Sequence, residues 1–244
     1  MTGQRSIICK GCWQQMRVPI PLRGPLSIPF RVFGVRPSPM NPNTCTICEL
    51  MFKRVMKARK VSVNATILFA DLRGYTALSQ TLPEEQVSEL LDAFYDECAS
   101  AIWANDGLLN KTIGDAVMAV FNFPIRHDGH AANALMAARQ IQQQFGLRAA
   151  SIAAGSENVG AVVGIGIGID SGMVSFGEFG RSHRDLTAIG NVVNLAARAQ
   201  SVAERGQILV TQSVRNQTNA ATDQAPARSY DLKGIDQPVL LFSA

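Results

Sequence analysis

Two aspartates lie where predicted strands end. Asp71 follows the short apolar run TILFA at residues 66–70, and Asp115 lies at the turn of a predicted hairpin formed by residues 107–113 and 116–121. Carboxylates from neighbouring strands can share hard divalent cations, because magnesium takes oxygen ligands and completes its shell with substrate phosphates. An acid that ends a strand is also a common turn former, so the spacing alone leaves both interpretations open.

The segment after Asp71 has the composition of a phosphate-binding turn. Its sequence LRGYT contains Gly74, which is flexible, and Thr76, which carries a hydroxyl. Backbone N–H groups in such a turn can cradle phosphate oxygens, and the threonine hydroxyl can assist them.

Four cysteines near the N-terminus form two CxxC pairs, Cys9 with Cys12 and Cys45 with Cys48. A CxxC turn aims both sulfurs the same way, so two pairs can supply four thiolates to one tetrahedral ion. The 32-residue gap between the pairs is longer than in a compact zinc ribbon. The prediction is a zinc site, with an iron–sulfur cluster or redox and purely structural cysteines as alternatives.

The charge of the chain is divided unevenly. Residues 1–60 hold eleven Lys and Arg against one acid, a net +10, whereas residues 61–244 have a net charge of −6. We therefore predict two units: a basic Cys- and Pro-rich segment at 1–60, ending in a linker helix, and a larger domain at 61–244. The basic residues at 53–60 indicate a solvated helix face or, alternatively, contact with nucleic acid or acidic lipid.

The larger unit alternates predicted strands and helices. The run GIGIGI at 164–169 predicts a central strand with isoleucines on one face and bare glycines on the other, against which another element packs closely. A helix is predicted from about residue 128 to a stop at Gly146, and another at 190–205, which places Asn194 and Arg198 on one face. The element order predicts a mixed sheet with helices on one side.

Three sequence blocks together resemble the class III nucleotidyl cyclases. They are FADLRGYT at 69–76, KTIGD at 111–115 and TAIGNVVNLAAR at 187–198. They occur in the family's order with suitable spacing, and the resemblance extends from about residue 62 to the end of the chain. It implies an α+β fold with a ferredoxin-like βαββαβ core, preceded here by the small Cys-rich segment.

The resemblance also implies an activity. Asp71 and Asp115 would bind two Mg²⁺ or Mn²⁺ ions per site, and the ribose 3′-hydroxyl would attack the α-phosphorus in line and release pyrophosphate. Asn194 would orient the ribose, and Arg198 would reach the α-phosphate as negative charge moves.

Base selection is implied by Lys111 and Thr187, which match the family's base-reading pair. Lysine is a donor only, which suits adenine N1, and threonine at the second position marks one recognised subgroup of adenine-preferring members. The expected reaction is therefore ATP to cyclic AMP; alternatives are a guanylate or pyrimidine nucleotide cyclase, or a catalytically silent nucleotide-binding protein. Lys233, in LKG, resembles a phosphate-contacting lysine, although a surface lysine beside a turn glycine is common.

The family divides each active site between two subunits, and this chain carries both sets of residues. A homodimer with two equivalent sites is the implication, and an isolated monomer is expected to be inactive. No apolar run is long enough for a membrane helix and no signal pattern begins the chain, so we expect a soluble cytoplasmic enzyme.

Overall fold

A computed structural model describes residues 5–153, 163–180, 182, 185–218 and 227–244. The front of the chain forms three short helices separated by turns: α1 (Lys10–Met16), α2 (Ile28–Val32), which follows a single 3-10 turn at Pro25–Ser27, and α3 (Thr46–Ala58). Each CxxC pair lies at the beginning of a helix, because Cys9 caps α1 and Cys45 caps α3.

The described residues form eight strands: β1 (Val61–Arg73), β2 (Leu108–Ile113), β3 (Ala116–Phe121), β4 (Gly164–Phe179), β5 (Asp185–Ile189), β6 (Ile208–Thr211), β7 (Arg228–Tyr230) and β8 (Val239–Ser243). They make one mixed sheet in the order β2-β3-β1-β4-β6-β8-β7, with β5 paired to β4. The long central strands β1 and β4 are antiparallel, and β6 joins β4 in parallel.

The remaining helices join these strands and cover both faces of the sheet. Helices α4 (Tyr75–Thr81), α5 (Glu84–Ala104) and α6 (His130–Ala153) pack on the face that carries Leu68 and Ile167. Helix α7 (Asn191–Val202) and the end of α3 pack on the opposite face, around Ile67 and Phe176. A short helix, α8 (Gln212–Thr218), follows β6.

The predicted α+β fold and mixed sheet are confirmed, with one correction. The helices were expected on one side of the sheet, whereas α7 and α3 lie on the other side. The physical reason is that β1 is apolar on both faces, since Ile67 and Phe69 are buried on one face and Leu68 and Ala70 on the other. A sheet with two apolar faces must be covered by other elements on both faces.

Glycines in β4 let α7 approach the sheet directly, as the alternating sequence predicts. A Cβ on Gly168 would lie 2.1 Å from the backbone N of Gln200 and 2.3 Å from the carbonyl O of Ala196. A Cβ on Gly166 would lie 2.5 Å from Nε of Arg73. The backbone of α7 therefore rests on the glycine face of β4, and no larger residue fits beneath it.

We expect Gly168→Ala to destabilise the protein by about 2–3 kcal/mol, because overpacking here must move the backbone of a helix. Gly146→Ala is the matched control. Its helix was expected to end at Gly146, but α6 continues to Ala153, and nothing lies within 4 Å of a Cβ at Gly146. This control should raise stability by up to about 1 kcal/mol through helix propensity. Chemical denaturation of the two variants measures both effects, and equal stabilities would contradict the packing argument.

None of the helices in the described part of the chain is long and apolar enough to cross a membrane.

The division into segments 1–60 and 61–244 stays a prediction. Met56 of α3 is buried in the same cluster as Ile67 of β1, so the linker helix is part of the packed core rather than a free connection.

Candidate active site and metal centre

The two aspartates singled out from the sequence lie next to each other, Asp71 near the end of β1 and Asp115 directly before β3. Asp71 of β1 pairs with Ala116 of β3, so Asp115 is one residue beyond this pair, and the Leu72 N–H donates to the Asp115 carbonyl at 3.1 Å. Burial raises the pKa of the Asp71 carboxyl, and the nearby charge of Asp115 raises it further. Two carboxylates held this close offer oxygen ligands to a shared divalent cation.

Two side chains hold Asp71 in place. The Gln200 side-chain amide donates to Oδ2 of Asp71 at 2.8 Å, and the Arg73 guanidinium lies 3.2 Å from the same oxygen. Both lower the pKa of Asp71 against the effect of burial. Arg73 is itself anchored by the carbonyl oxygens of Ala203 and Gln200 at the end of α7. Sequence reasoning missed both residues. Gln200 lies 129 positions from Asp71, and Arg73, although only two positions from Asp71, is anchored by carbonyl groups 127 and 130 positions away.

The turn after Asp71 has the expected shape. Gly74 adopts a left-handed conformation with φ of +83° and precedes the first turn of α4. Thr76 lies in that first turn and is exposed. The glycine is needed here because β1 must reverse direction directly into a helix, and other residues rarely adopt this φ.

Lys111 of β2 and Thr187 of β5 are brought to the same region by a link between their strands. The Asn110 side-chain amide donates to the Leu186 carbonyl at 2.9 Å. The Lys111 ammonium forms an ion pair with Asp185, which stands two residues before Thr187 on the same face of β5. Asp185 was not singled out from the sequence. Residues two positions apart in a strand lie on the same face, so its position relative to Thr187 could have indicated that it lies near the base-reading pair.

Asn194 and Arg198 share an exposed face of α7, as their spacing predicts. The buried residues of the helix are Ala196, Ala199 and Gln200, which face the sheet. At about 100° per residue, Asn194 and Arg198 point away from the sheet and into solvent. Within one protomer they are therefore directed away from the core that supports Asp71.

Lys233 lies in an exposed turn with Gly234, whose φ is +81°. Its neighbour Leu232 is buried against Ala199 and Ala203 of α7. The turn is thus attached to the end of α7, but no described contact joins the Lys233 side chain to the aspartates.

The four front cysteines converge into one cluster. All four sulfurs lie within 4.8 Å of one another, and three of the pairs are 3.2–3.6 Å apart. Zn–S bonds of about 2.3 Å in a tetrahedron place sulfurs about 3.8 Å apart. The donor set and its spacing therefore fit a tetrahedral metal ion.

Backbone and burial reinforce the cluster. The N–H groups of Cys12, Cys45 and Cys48 donate to cysteine sulfurs at 3.2–3.4 Å. Hydrogen bonds from Cys48 and then Cys9 lower the pKa of the Cys45 thiol, whereas burial raises the pKa of the Cys12 thiol to about 12. Four thiolates at these distances repel one another unless a cation lies between them.

The cysteine cluster is attached to the sheet next to the start of β2. The Asn43 amide donates to the Trp103 carbonyl at 2.9 Å, and the Asn41 amide donates to the Gly107 carbonyl at 2.8 Å. Lys10 forms an ion pair with Asp106 at 2.6 Å. These contacts precede Lys111 by only a few residues along the chain.

A family model described as the adenylate and guanylate cyclase catalytic domain matches residues 57–241. A curated adenylate cyclase from Anabaena cylindrica is 33% identical over 185 residues, which are 72% of this chain and 36% of the relative. The chain therefore spans about a third of that relative's length.

Two solved structures have similar folds. The adenylyl cyclase CyaB from P. aeruginosa is 27% identical with a TM-score of 0.69, covering 76% of this chain and 95% of the other. The guanylyl cyclase Cya2 is 24% identical with a TM-score of 0.68, covering 75% and 92%, and at this identity the likeness is one of fold.

Proposed function

Because this chain belongs to the adenylate and guanylate cyclase catalytic-domain family, we propose that it converts ATP into 3′,5′-cyclic AMP and pyrophosphate. The observation that carries this proposal is the pair of carboxylates, Asp71 and Asp115, at the ends of adjacent antiparallel strands. A curated adenylate cyclase among its relatives supports the adenine substrate.

Asp71 and Asp115 would hold the divalent cations, since their donor set is all oxygen. Mg²⁺ or Mn²⁺ held there, two per site, would supply the Lewis acidity that favours ionisation of the ribose 3′-hydroxyl and would neutralise the charge of the triphosphate. Gln200 and Arg73 keep the Asp71 carboxylate in one orientation. The Gly74 turn, with the Thr76 hydroxyl, binds phosphate oxygens through its backbone N–H groups. Lys233 binds the phosphates from its turn.

The site is completed by a second copy of the chain. Asn194 of one protomer orients the ribose held by the other, and Arg198 donates to the α-phosphate as charge accumulates in the transition state. Their direction away from their own sheet supports this arrangement. Exposed apolar side chains on neighbouring elements, which are Ile113, Met173 and Ile189, supply an interface for the homodimer.

Lys111 and Thr187 read the base. The Lys111 ammonium donates to adenine N1, which is an acceptor, whereas guanine carries a proton at N1 and repels a donor. The ion pair with Asp185 restricts the positions open to the Lys111 ammonium, so less conformational freedom is lost when the base binds.

Assay of the purified protein with each of the four nucleoside triphosphates, with product identification, tests this assignment. We expect cyclic AMP to form at least about tenfold faster than cyclic GMP, a difference of one good hydrogen bond to the base. The double variant Lys111→Glu with Thr187→Cys should reduce this preference or reverse it. A guanylate or pyrimidine preference in the unaltered chain would contradict the assignment, and no product from any nucleotide would favour a silent cyclase fold.

We also propose that Cys9, Cys12, Cys45 and Cys48 bind one structural Zn²⁺. Four sulfur ligands with tetrahedral spacing support zinc, and such closed sites stabilise small loop-rich segments. A reducing, cytoplasmic location belongs to this proposal, because the site requires cysteines that are not oxidised to disulfides.

A further inference from the structure

The segment between the two CxxC pairs carries an apolar surface that the nucleotide site does not use. Residues 24–34, which we name the apolar tip, include five large apolar side chains that are 37–85% exposed. They are Leu26, Ile28, Phe30, Val32 and Phe33. Single exposed apolar residues are ordinary, but five within eight positions mark an interaction surface.

The apolar tip is an ordered projection. It begins and ends at glycines with positive φ, Gly24 at +82° and Gly34 at +79°. Ser27 is buried, and its hydroxyl donates to the Gly24 carbonyl at 2.7 Å. The flanking residues Leu22 and Val35 are buried in one cluster with Cys9, Cys12 and Cys45. The cysteine centre thus holds both ends of the tip.

The charge around the apolar tip has one sign. Residues 5–48 contain six basic residues and no acid. Arg23 is half-buried at the base of the tip, where burial lowers the pKa of its guanidinium and the neighbouring charges of Arg5 and Arg31 lower it further. Arg5 and Arg31 thus lie close enough to Arg23 for their charges to affect it, and Arg31 belongs to the tip itself. Positive charge beside exposed apolar side chains favours an anionic partner.

We propose that the apolar tip inserts into the surface of an anionic lipid membrane, with Arg5, Arg31 and Arg36 binding the headgroups. Side chains that are 77–85% exposed, such as Leu26, Val32 and Phe33, project from the surface. A protein partner would need a matching pocket for each of them, whereas a bilayer interface accepts projecting apolar groups to a depth of about 5–10 Å. Residues 61–244 have a net charge of −6, so an anionic membrane repels the catalytic domain and favours an orientation in which the tip faces the lipid.

This surface goes beyond the proposed nucleotide chemistry and does not depend on it. Vesicle co-sedimentation of the full chain, without nucleotide, tests it. We expect binding to equimolar phosphatidylcholine and phosphatidylserine, at least about tenfold weaker binding to phosphatidylcholine alone, and loss of binding in high salt. The double variant Val32→Ser with Phe33→Ser should weaken binding at least about tenfold, since it removes two inserting side chains.

Leu147→Ser is the matched control, because Leu147 is also strongly exposed but lies on α6, outside the tip. It should bind vesicles like the unaltered chain. Arg31→Gln with Arg36→Gln should remove most of the preference for the anionic vesicles.

Three outcomes would overturn the proposal. The first is equal vesicle binding by the tip variant and the control. The second is a lower oligomer mass for the tip variant together with no vesicle binding by the unaltered chain. The tip would then bind a second copy of the chain. The third is tip-dependent binding to DNA or RNA without binding to vesicles. Cyclase activity, measured in parallel, reports on the proposed function separately, because lipid binding here requires no nucleotide.

Discussion

Asp71→Ala and Arg198→Ala are each expected to lower the cyclase kcat at least about 10³-fold, and the two inactive proteins should regain activity when mixed. The aspartate variant loses a metal ligand, and the arginine variant loses a guanidinium aimed at the transition state. Because the proposed site takes Asp71 from one subunit and Arg198 from the other, a mixed dimer contains one intact site.

The expected recovery follows from counting sites. An equal mixture that exchanges subunits freely forms mixed dimers half of the time, and each has one working site of two, so about a quarter of the native activity should return. Asp231→Ala, at an exposed acid in the turn next to Lys233, is the control and should retain native activity. Mixed dimers that form but stay inactive would rule out the shared site, and full activity in a monomer would do the same.

Cys45→Ser is expected to remove the metal and to unfold the segment that precedes α3. Serine is a good helix N-cap, and its hydroxyl can accept the hydrogen bond from the Cys48 N–H that the sulfur now accepts at 3.4 Å. The substitution therefore preserves the start of α3 and removes only the thiolate. Elemental analysis should give one zinc per chain in the unaltered protein and nearly none in the variant, and proteases should then cleave within residues 5–44.

Cys98→Ala is the control for this experiment. Cys98 is fully buried on the core-facing side of α5 and is not part of the cluster, so this variant should keep its zinc. Retention of zinc by Cys45→Ser would contradict the four-cysteine site. Iron with inorganic sulfide in the unaltered protein would instead indicate the iron–sulfur alternative.

Much of the fold follows from local patterns. The alternation of GIGIGI predicts both the strand and the close approach of another element, because bare glycines on one face leave room for a backbone. The hairpin turn before Ala116 and the helix that carries Asn194 and Arg198 are likewise local features, set by turn residues and helical spacing. Asp71 lies beside Asp115 once β1 and β3 are neighbours in the observed register, in which Asp71 pairs with Ala116.

The extent of α6 and the coverage of the sheet were not predictable in this way. Gly146 is a common helix stop, but here the buried Phe145 and Ala149 on either side hold the helix in place through it. Tertiary packing overrides a modest difference in helix propensity. Similarly, the side of the sheet on which α7 lies depends on which apolar face remains uncovered after α5 and α6 have packed.

The amino-acid sequence by itself determined which side chains can do chemistry: the two aspartates, the base-reading pair, the polar face of α7 and the two CxxC turns. These depend on residue type and on spacings of a few positions, which local geometry fixes. Only the tertiary structure decided that Gln200 and Arg73 hold Asp71, that Asp185 pairs with Lys111, and that the cysteine centre displays an apolar tip. The Gln200–Asp71 and Lys111–Asp185 contacts join residues far apart in the chain, and the carbonyl groups that anchor Arg73 are equally distant from it, so only packing of the whole sheet brings these atoms together.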